Sequence, residues 1–384
     1  MSSEFPTEIH TNTKTKAVTI TPEIAETLPN IDLAFAEVDK KFLDNPEAYL
    51  ENLEASLFHF KSSEGSEVAC SLLHDSNSRP DELLVVLAPF ADRDPKSGAS
   101  EIYEYITADS PSGIIKKEAV SPNSWNQTTK SAVIFDLLAA LGKNIPVLTI
   151  YGPVPSHAYS FKERAKFRKG DFSPAGRLVK EAVAVVQDHI NGPLSETQIS
   201  SLNISGASLG ASNAIGAAAS KEIASQFEIP TVTAQELIMG PSKTGLAKRF
   251  TISQYVGEPS IWDGRRYPEV SEPAIRKAID KNGSEPIGTN ARMLRGMKPT
   301  YMLGLTKPEA TVQAIERLLD NNVGLLVALA ENSSLSYQTP DHLPSGGEKV
   351  VKIKAENGQK IGHLADEHVA LGGLVVALNI AGRK

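Results

Sequence analysis

Between Ile199 and Ala219 the chain reads Ile-Ser-Ser-Leu-Asn-Ile-Ser, then Gly-Ala-Ser-Leu-Gly, then Ala-Ser-Asn-Ala-Ile-Gly-Ala-Ala-Ala. Apolar residues at Ile199, Leu202 and Ile204 predict a strand and the alanine-rich run predicts a helix, so Ser208 falls at their junction. A Gly-x-Ser-x-Gly pattern suits such a junction. On a tight strand-to-helix turn the serine backbone is strained, and a side chain at Gly206 or Gly210 would collide with the neighbouring strand or helix. The strain lifts the hydroxyl clear of the backbone, beside a helix N-terminus that favours negative charge. The five-residue pattern is short, and a Gly/Ser-rich turn of another α/β fold can also carry it. The strand signal before it and the small residues after it give it weight.

The rest of the chain alternates in the same way. Residues up to about Val18 are polar and Thr-rich, and read as a flexible arm. Thr21-Pro22-Glu23 is a helix start, Ile31 to Leu43 carries apolar residues near helical spacing, and Pro46 to Leu57 extends as a second short helix. Residues 1–55 are thus expected to form an arm and a helical appendage. From Ser56 strands follow: Leu57 to Phe60, Val68 to Leu73, Leu83 to Ala88 and Pro146 to Tyr151, with a buried helix between the last two from Ser131 to Leu141, closed by Gly142. Gly176 to Ile190 is a helix, the Ser208 strand comes next, and Thr231 to Met239 is one more strand. Lys243 to about Pro308 breaks the rhythm with Arg, Lys, Pro and aromatic residues, and reads as a cap inserted over the sheet. Glu309 to Leu319 is a helix, Val323 to Ala330 and Lys349 to Ile353 are strands, and Val369 to Ile380 is a final apolar helix. Strands alternating with helices predict an α/β fold with a mostly parallel sheet. The core is expected over residues 56–242 and 309–384, with the cap over 243–308.

This order of parts resembles the α/β-hydrolase superfamily over roughly residues 56 to 384. The resemblance implies an eight-stranded sheet with helices on both faces, a nucleophile elbow after the fifth strand, a cap after the sixth, an acid after the seventh and a histidine after the eighth. Ser208 follows the fifth strand counted here, Glu331 follows the seventh, and Gly362-His363-Leu364 lies just beyond the eighth. The order serine, acid, histidine is also the family's. It implies acyl transfer: a neutral imidazole, His363, takes the Ser208 proton as the oxygen attacks a carbonyl, and a carboxylate orients the imidazole. His368 is the rival base, with His157 and His342 weaker candidates among the eight histidines. An unperturbed base of this kind titrates at about 6.5, so activity should fall as pH drops through that region. The chain departs from the family where Ala330-Glu331-Asn332-Ser333 stands in place of Gly-x-x-Asp. Glu331 is the candidate acid, with Asp341 in reserve. By the same placement, the backbone N–H groups of Leu209 and of Phe90, or of Ala91 in its stead, would form the oxyanion hole. Ala88-Pro89 replaces the family's usual His-Gly there. Trp125, Trp262, Tyr267 and Tyr301 either line a pocket under the cap or form the cap's own small core.

Composition excludes several classes. A net charge of -7 with no Lys/Arg run argues against a nucleic-acid partner held through phosphates. Cys70 is the only cysteine, so no internal disulfide can form, as suits a reducing compartment. The segment from Met1 to Pro6 lacks a basic region followed by an apolar core, and no apolar run reaches membrane-spanning length; a cytoplasmic protein, or one released by another route, is expected. No metal-ligand spacing, phosphate-binding glycine loop or dinucleotide fingerprint occurs, so no metal or cofactor is expected. The sequence therefore reads as a serine hydrolase cleaving a carboxylic ester or similar acyl bond of a small-molecule substrate through an acyl-enzyme. Two alternatives stay open: a non-catalytic protein of the same fold used for binding or assembly, and an acyltransferase. Oligomeric state is not legible.

Overall fold

The apolar runs pair into one mixed sheet. The computed structural model describes residues 8–9, 18–19, 53–65, 67–75, 80–87, 134–135, 137–139, 142–151, 160–191, 198–239, 308–330, 339, 343–344, 349–355 and 367–382. Eight main strands follow in chain order: β1 (Leu53–Lys61), β2 (Glu67–Asp75), β3 (Glu82–Leu87), β4 (Val147–Tyr151), β5 (Ser201–Ala207), β6 (Thr231–Gln235), β7 (Gly324–Ala330) and β8 (Lys349–Ala355). Their spatial order is β1-β2-β4-β3-β5-β6-β7-β8. β2 runs antiparallel to both β1 and β4, and the remaining neighbours are parallel. The mostly parallel eight-stranded sheet expected from the sequence is the one formed, with β5 near its middle.

Two details differ from expectation. β1 begins at Leu53, inside the segment read as helical to Leu57, and pairs residue for residue with β2 across a turn at Gly65 (φ 85°). A short apolar stretch suits either period, and pairing along the whole of β2 decides for the strand. Beyond β8, the two-residue strands Glu8–Ile9 and Val18–Thr19 extend the sheet, with Thr19 and Val18 opposite Lys354 and Ala355. Part of the Thr-rich segment thus satisfies backbone groups along an edge that would otherwise be open.

Helices cover both faces. They are α1 (Phe161–Arg168), α2 (Ser173–Asn191), α3 (Leu209–Ala218), α4 (Lys221–Ala224), α5 (Pro308–Asp320) and α6 (Glu367–Ala381). Leu83, Val85, Leu87, Leu202, Ile204, Val232, Ala234, Leu325 and Val327 share one buried cluster with residues of α2, α3 and α5. Strand side chains alternate, so Thr233 points to the opposite face. There the Asn379 amide of α6 donates to the Thr233 hydroxyl (3.0 Å) and to the carbonyls of Val232 and Gly324 (3.1 Å each). The helix expected before Gly142 has buried helical residues at Ile134, Phe135 and Leu137 to Ala139. It ends in a Schellman pattern: Gly142 (φ 72°) donates to Ala139 (2.9 Å) and Lys143 to Leu138 (2.8 Å).

Near the β1–β2 turn, α1 opens with a capping box between Ser160 and Glu163. Glu163 is buried and bridged by Arg177 of α2, which also pairs with Glu181 at 2.8 Å; the Ser63 hydroxyl joins the same carboxylate. Burial works against the Arg177 charge, but hydrogen bonds to Glu181 and Glu163 outweigh it, so its proton is held more tightly than usual. The expected appendage from Thr21 to Asn52 and the expected cap lie outside the described residues, save Pro308, which opens α5.

Candidate active site

The centre of the sheet delivers Ser208. β5 ends at Ala207, in register with Gln235 of β6, and the Ser208 N–H donates to the Gln235 carbonyl at 2.8 Å. The chain then turns within one residue: Ser208 has φ 55° and ψ -120°, and Leu209 begins α3. A residue bearing a Cβ rarely adopts that backbone, which costs on the order of 1–3 kcal/mol. Gly206 makes the turn possible, since a Cβ there would stand 2.1 Å from the Gly210 carbonyl oxygen and 2.9 Å from the Ala211 nitrogen. The expected clash is therefore real at Gly206, and the obstacle is helix backbone that cannot swing aside.

Ser208 occupies the N-cap position of α3, yet its side chain makes no cap hydrogen bond to the helix. An ordinary serine cap accepts from the second or third helical N–H, with its own backbone extended. Ser208, at φ 55° and ψ -120°, departs from that geometry. Leu209 supplies the first helical N–H, one of those with no partner four residues back, and the first turn of α3 carries no acidic residue. Unpaired amide dipoles beside the hydroxyl favour an anion there. Every residue of α3 is buried, so the helix is held on all sides. Ser208 itself is fully enclosed, with 0 % of its surface exposed.

Glu236 carries no signal of its own in the sequence. β6 stops at Gln235, not at Met239, because Glu236 takes φ 51° and leads the chain out of the strand. Its N–H donates to the Ala328 carbonyl of β7 at 2.7 Å, and its residue is buried (2 % exposed). The peptide group joining Gln235 to Glu236 thus accepts from Ser208 on one side and donates to β7 on the other. Leu237 to Met239 are buried but outside the strand, held by Thr339, whose hydroxyl donates to the Leu237 carbonyl (2.5 Å) and accepts from the Met239 N–H (3.3 Å).

His363, Glu331, Phe90 and Asp341 lie outside the described residues, as do His157, His342, Trp125, Trp262, Tyr267 and Tyr301. His368 is the second residue of α6. Of the candidate site residues, Ser208 and Leu209, consecutive in the chain, are the pair whose surroundings are described. Among the described residues no group of three or more His, Cys, Asp or Glu could hold a metal ion, and no helix is long and apolar enough to cross a membrane. Cys70, buried in β2, has its thiol pushed up to about 12 by burial and stays protonated.

No protein-family model and no curated protein sequence matches the chain. Solved structures resemble it loosely. A haloalkane dehalogenase from Bradyrhizobium elkani is 15% identical, with a TM-score of 0.41 over 85% of this chain and 100% of the other. An α/β hydrolase from a Penicillium species is 13% identical, with a TM-score of 0.43 over 85% and 99%. A cold-adapted esterase from an Arctic intertidal metagenomic library is 11% identical, with a TM-score of 0.37 over 87% and 95%. Likeness at this level carries no reaction with it; strand order and the turn at Ser208 are what bear on function.

Proposed function

We propose that this chain, built on the α/β-hydrolase fold, is a serine hydrolase acting on a carboxylic ester or similar acyl bond. One observation carries the proposal: a serine held at φ 55° and ψ -120° on the turn between the central strand and a wholly buried helix. Strain of that kind persists only where the surroundings over-determine it, and it clusters at reacting groups. In the reaction, the Ser208 Oγ bonds to the acyl carbon while its proton passes to the imidazole of His363. The carbonyl π electrons move onto oxygen, and the Leu209 N–H, with Phe90 as second donor, stabilises that charge. Collapse expels the alcohol, which takes the proton from the imidazole, and water then repeats the sequence to free the acid. Placement after β7 offers Glu331 as the carboxylate that orients His363.

A burst experiment with p-nitrophenyl acetate tests this. One equivalent of nitrophenolate released rapidly per chain, abolished in Ser208→Ala and His363→Gln, is the expected result. Slow linear release equal in wild type and Ser208→Ala would remove the enzyme. The complete enclosure of Ser208 favours a second reading, a protein of this fold without catalysis that serves binding or assembly. Absence of any burst, with Ser208→Ala folded and unchanged in every other respect, would select it.

A further inference from the structure

We propose that the outward face of α1 is a docking surface for an anionic lipid bilayer, on which three lysines meet the headgroups while Phe161 enters the acyl boundary. The inference stands apart from the hydrolase reading, since α1 shares no residue with the turn at Ser208.

The orientation of α1 is fixed from within. Glu163 and Phe167, four residues apart and so on one stripe of the helix, are both buried. Arg177 bridges Glu163, and the Phe167 ring stands edge-on to Phe172 with centroids 6.0 Å apart. At 3.6 residues per turn, anchoring that stripe turns Phe161, Ala165 and Lys169 the other way, with Lys162 and Lys166 beside them. Phe161, Lys162, Lys166 and Lys169 are all exposed.

The first property of this face is its charge. The chain as a whole carries -7, yet Lys162, Arg164, Lys166, Arg168 and Lys169 fall close together at alternating positions, against Glu163, a carboxylate that Arg177 already meets. Among the described residues, Lys162, Lys166 and Lys169 form no ion pair. The Lys166 ammonium donates to the Ser173 hydroxyl at 3.2 Å, and the nearby Asp171 carboxylate accepts from the Ser173 N–H at 2.9 Å. Grouped cations of this kind attract an anionic surface at short range, because charge elsewhere on the chain is screened beyond about 10 Å at 0.1 M salt.

The second property is Phe161, which at 75% exposure is the large apolar side chain left in solvent among the described residues. The capping box closes the helix start through Ser160 and Glu163, and the Phe161 ring has no part in it. Cations alone would suit any polyanion. A phosphate backbone offers the ring beside them no apolar medium, whereas a bilayer interface takes an aromatic ring below the headgroups and lysine ammonium groups at their level.

Co-sedimentation with vesicles tests this, comparing phosphatidylcholine alone with phosphatidylcholine mixed with phosphatidylserine. Wild type should bind the mixed vesicles, release them as salt rises, and ignore the neutral ones. Each lysine near such a surface contributes about fivefold, so the combined Lys162→Gln, Lys166→Gln and Lys169→Gln variant should partition about a hundredfold more weakly. Phe161→Ser should lose about tenfold. Exposed lysines elsewhere provide the control: Lys61→Gln, Lys143→Gln and Lys221→Gln together change the net charge equally and should bind like wild type, as should Ser208→Ala. All the substituted lysines and Phe161 are exposed, and circular dichroism verifies the fold. The proposal is overturned if wild type ignores the mixed vesicles, if its binding is indifferent to salt, if the two lysine variants weaken alike, or if Phe161→Ser partitions in full. Single-stranded RNA bound more tightly than the mixed vesicles would also overturn it. A chain that binds vesicles through α1 but takes no fluorophosphonate at Ser208 defeats the hydrolase reading alone.

Discussion

Replacing Ser208 by glycine should stabilise the protein relative to replacing it by alanine, although both changes remove the nucleophile. Each variant loses the same hydroxyl, so their difference isolates the backbone. At φ 55° and ψ -120° any residue with a Cβ carries strain of about 1–3 kcal/mol, which alanine keeps and glycine sheds. Glycine's freer unfolded chain takes back about 0.5–1 kcal/mol. The balance favours Ser208→Gly over Ser208→Ala by up to about 2.5 kcal/mol. For a chain of 384 residues, with about 1.2 °C per kcal/mol at this size, that is a Tm difference of up to about 3 °C. Differential scanning calorimetry of the two variants side by side measures it, and urea midpoints check it independently. A Ser208→Gly melting at or below Ser208→Ala would show that the turn is not strained, and would remove the main support for reading it as a reacting centre.

Gly206→Ala should cost about 1–3 kcal/mol and at least about a hundredfold in turnover, because its Cβ would meet the Gly210 carbonyl at 2.1 Å and push the start of α3 off Ser208. Gly142→Ala, left-handed at φ 72° but facing open space, should cost about 1 kcal/mol and leave turnover alone; thermal melts and ester assays compare the two. The Cys70 thiol, raised from 9.0 to about 12, stays protonated in the native state while the unfolded thiol ionises, so its contribution is complete below pH 9. It should then be lost at about 1.4 kcal/mol per pH unit up to about pH 12, a slope absent from Cys70→Ala in alkaline urea titrations. Arg177→Met strands Glu163 in a buried site and should destabilise by on the order of 3 kcal/mol without changing kcat, as paired denaturation and activity measurements will show.

Much of the architecture was legible because its signals are local. Continuous apolar runs such as Leu83 to Leu87 can satisfy their side chains only between two layers, and Gly142 marks a helix end through its left-handed backbone. The Gly206–Gly210 pattern carries its own steric argument, and the clash at Gly206 bears it out. Ser160-x-x-Glu163 is the capping box at the start of α1, but Phe161–Arg168 is largely charged and offers no apolar periodicity by which a helix could be read from the sequence. The end of β6 was misjudged because Leu237 to Met239 are apolar for a different reason, packing under Thr339 outside any strand. Glu236 was invisible for a similar cause. A glutamate at the end of an apolar run reads as a solvated terminus, and its burial and positive φ arise only when β7 lies alongside. The candidate histidine and Glu331 were placed by counting strands, which fixes a level along the sheet but no distance between side chains.

The central claim is that the Ser208 hydroxyl is an activated nucleophile. Intact-mass and peptide mapping after exposure of the native chain to a fluorophosphonate tests it most directly. The account predicts one adduct per chain, on the peptide containing Ser208, absent from Ser208→Ala and formed more slowly below about pH 6.5, where an imidazole base takes up a proton. A native chain that takes no label, or takes it on another residue equally in wild type and Ser208→Ala, would contradict it.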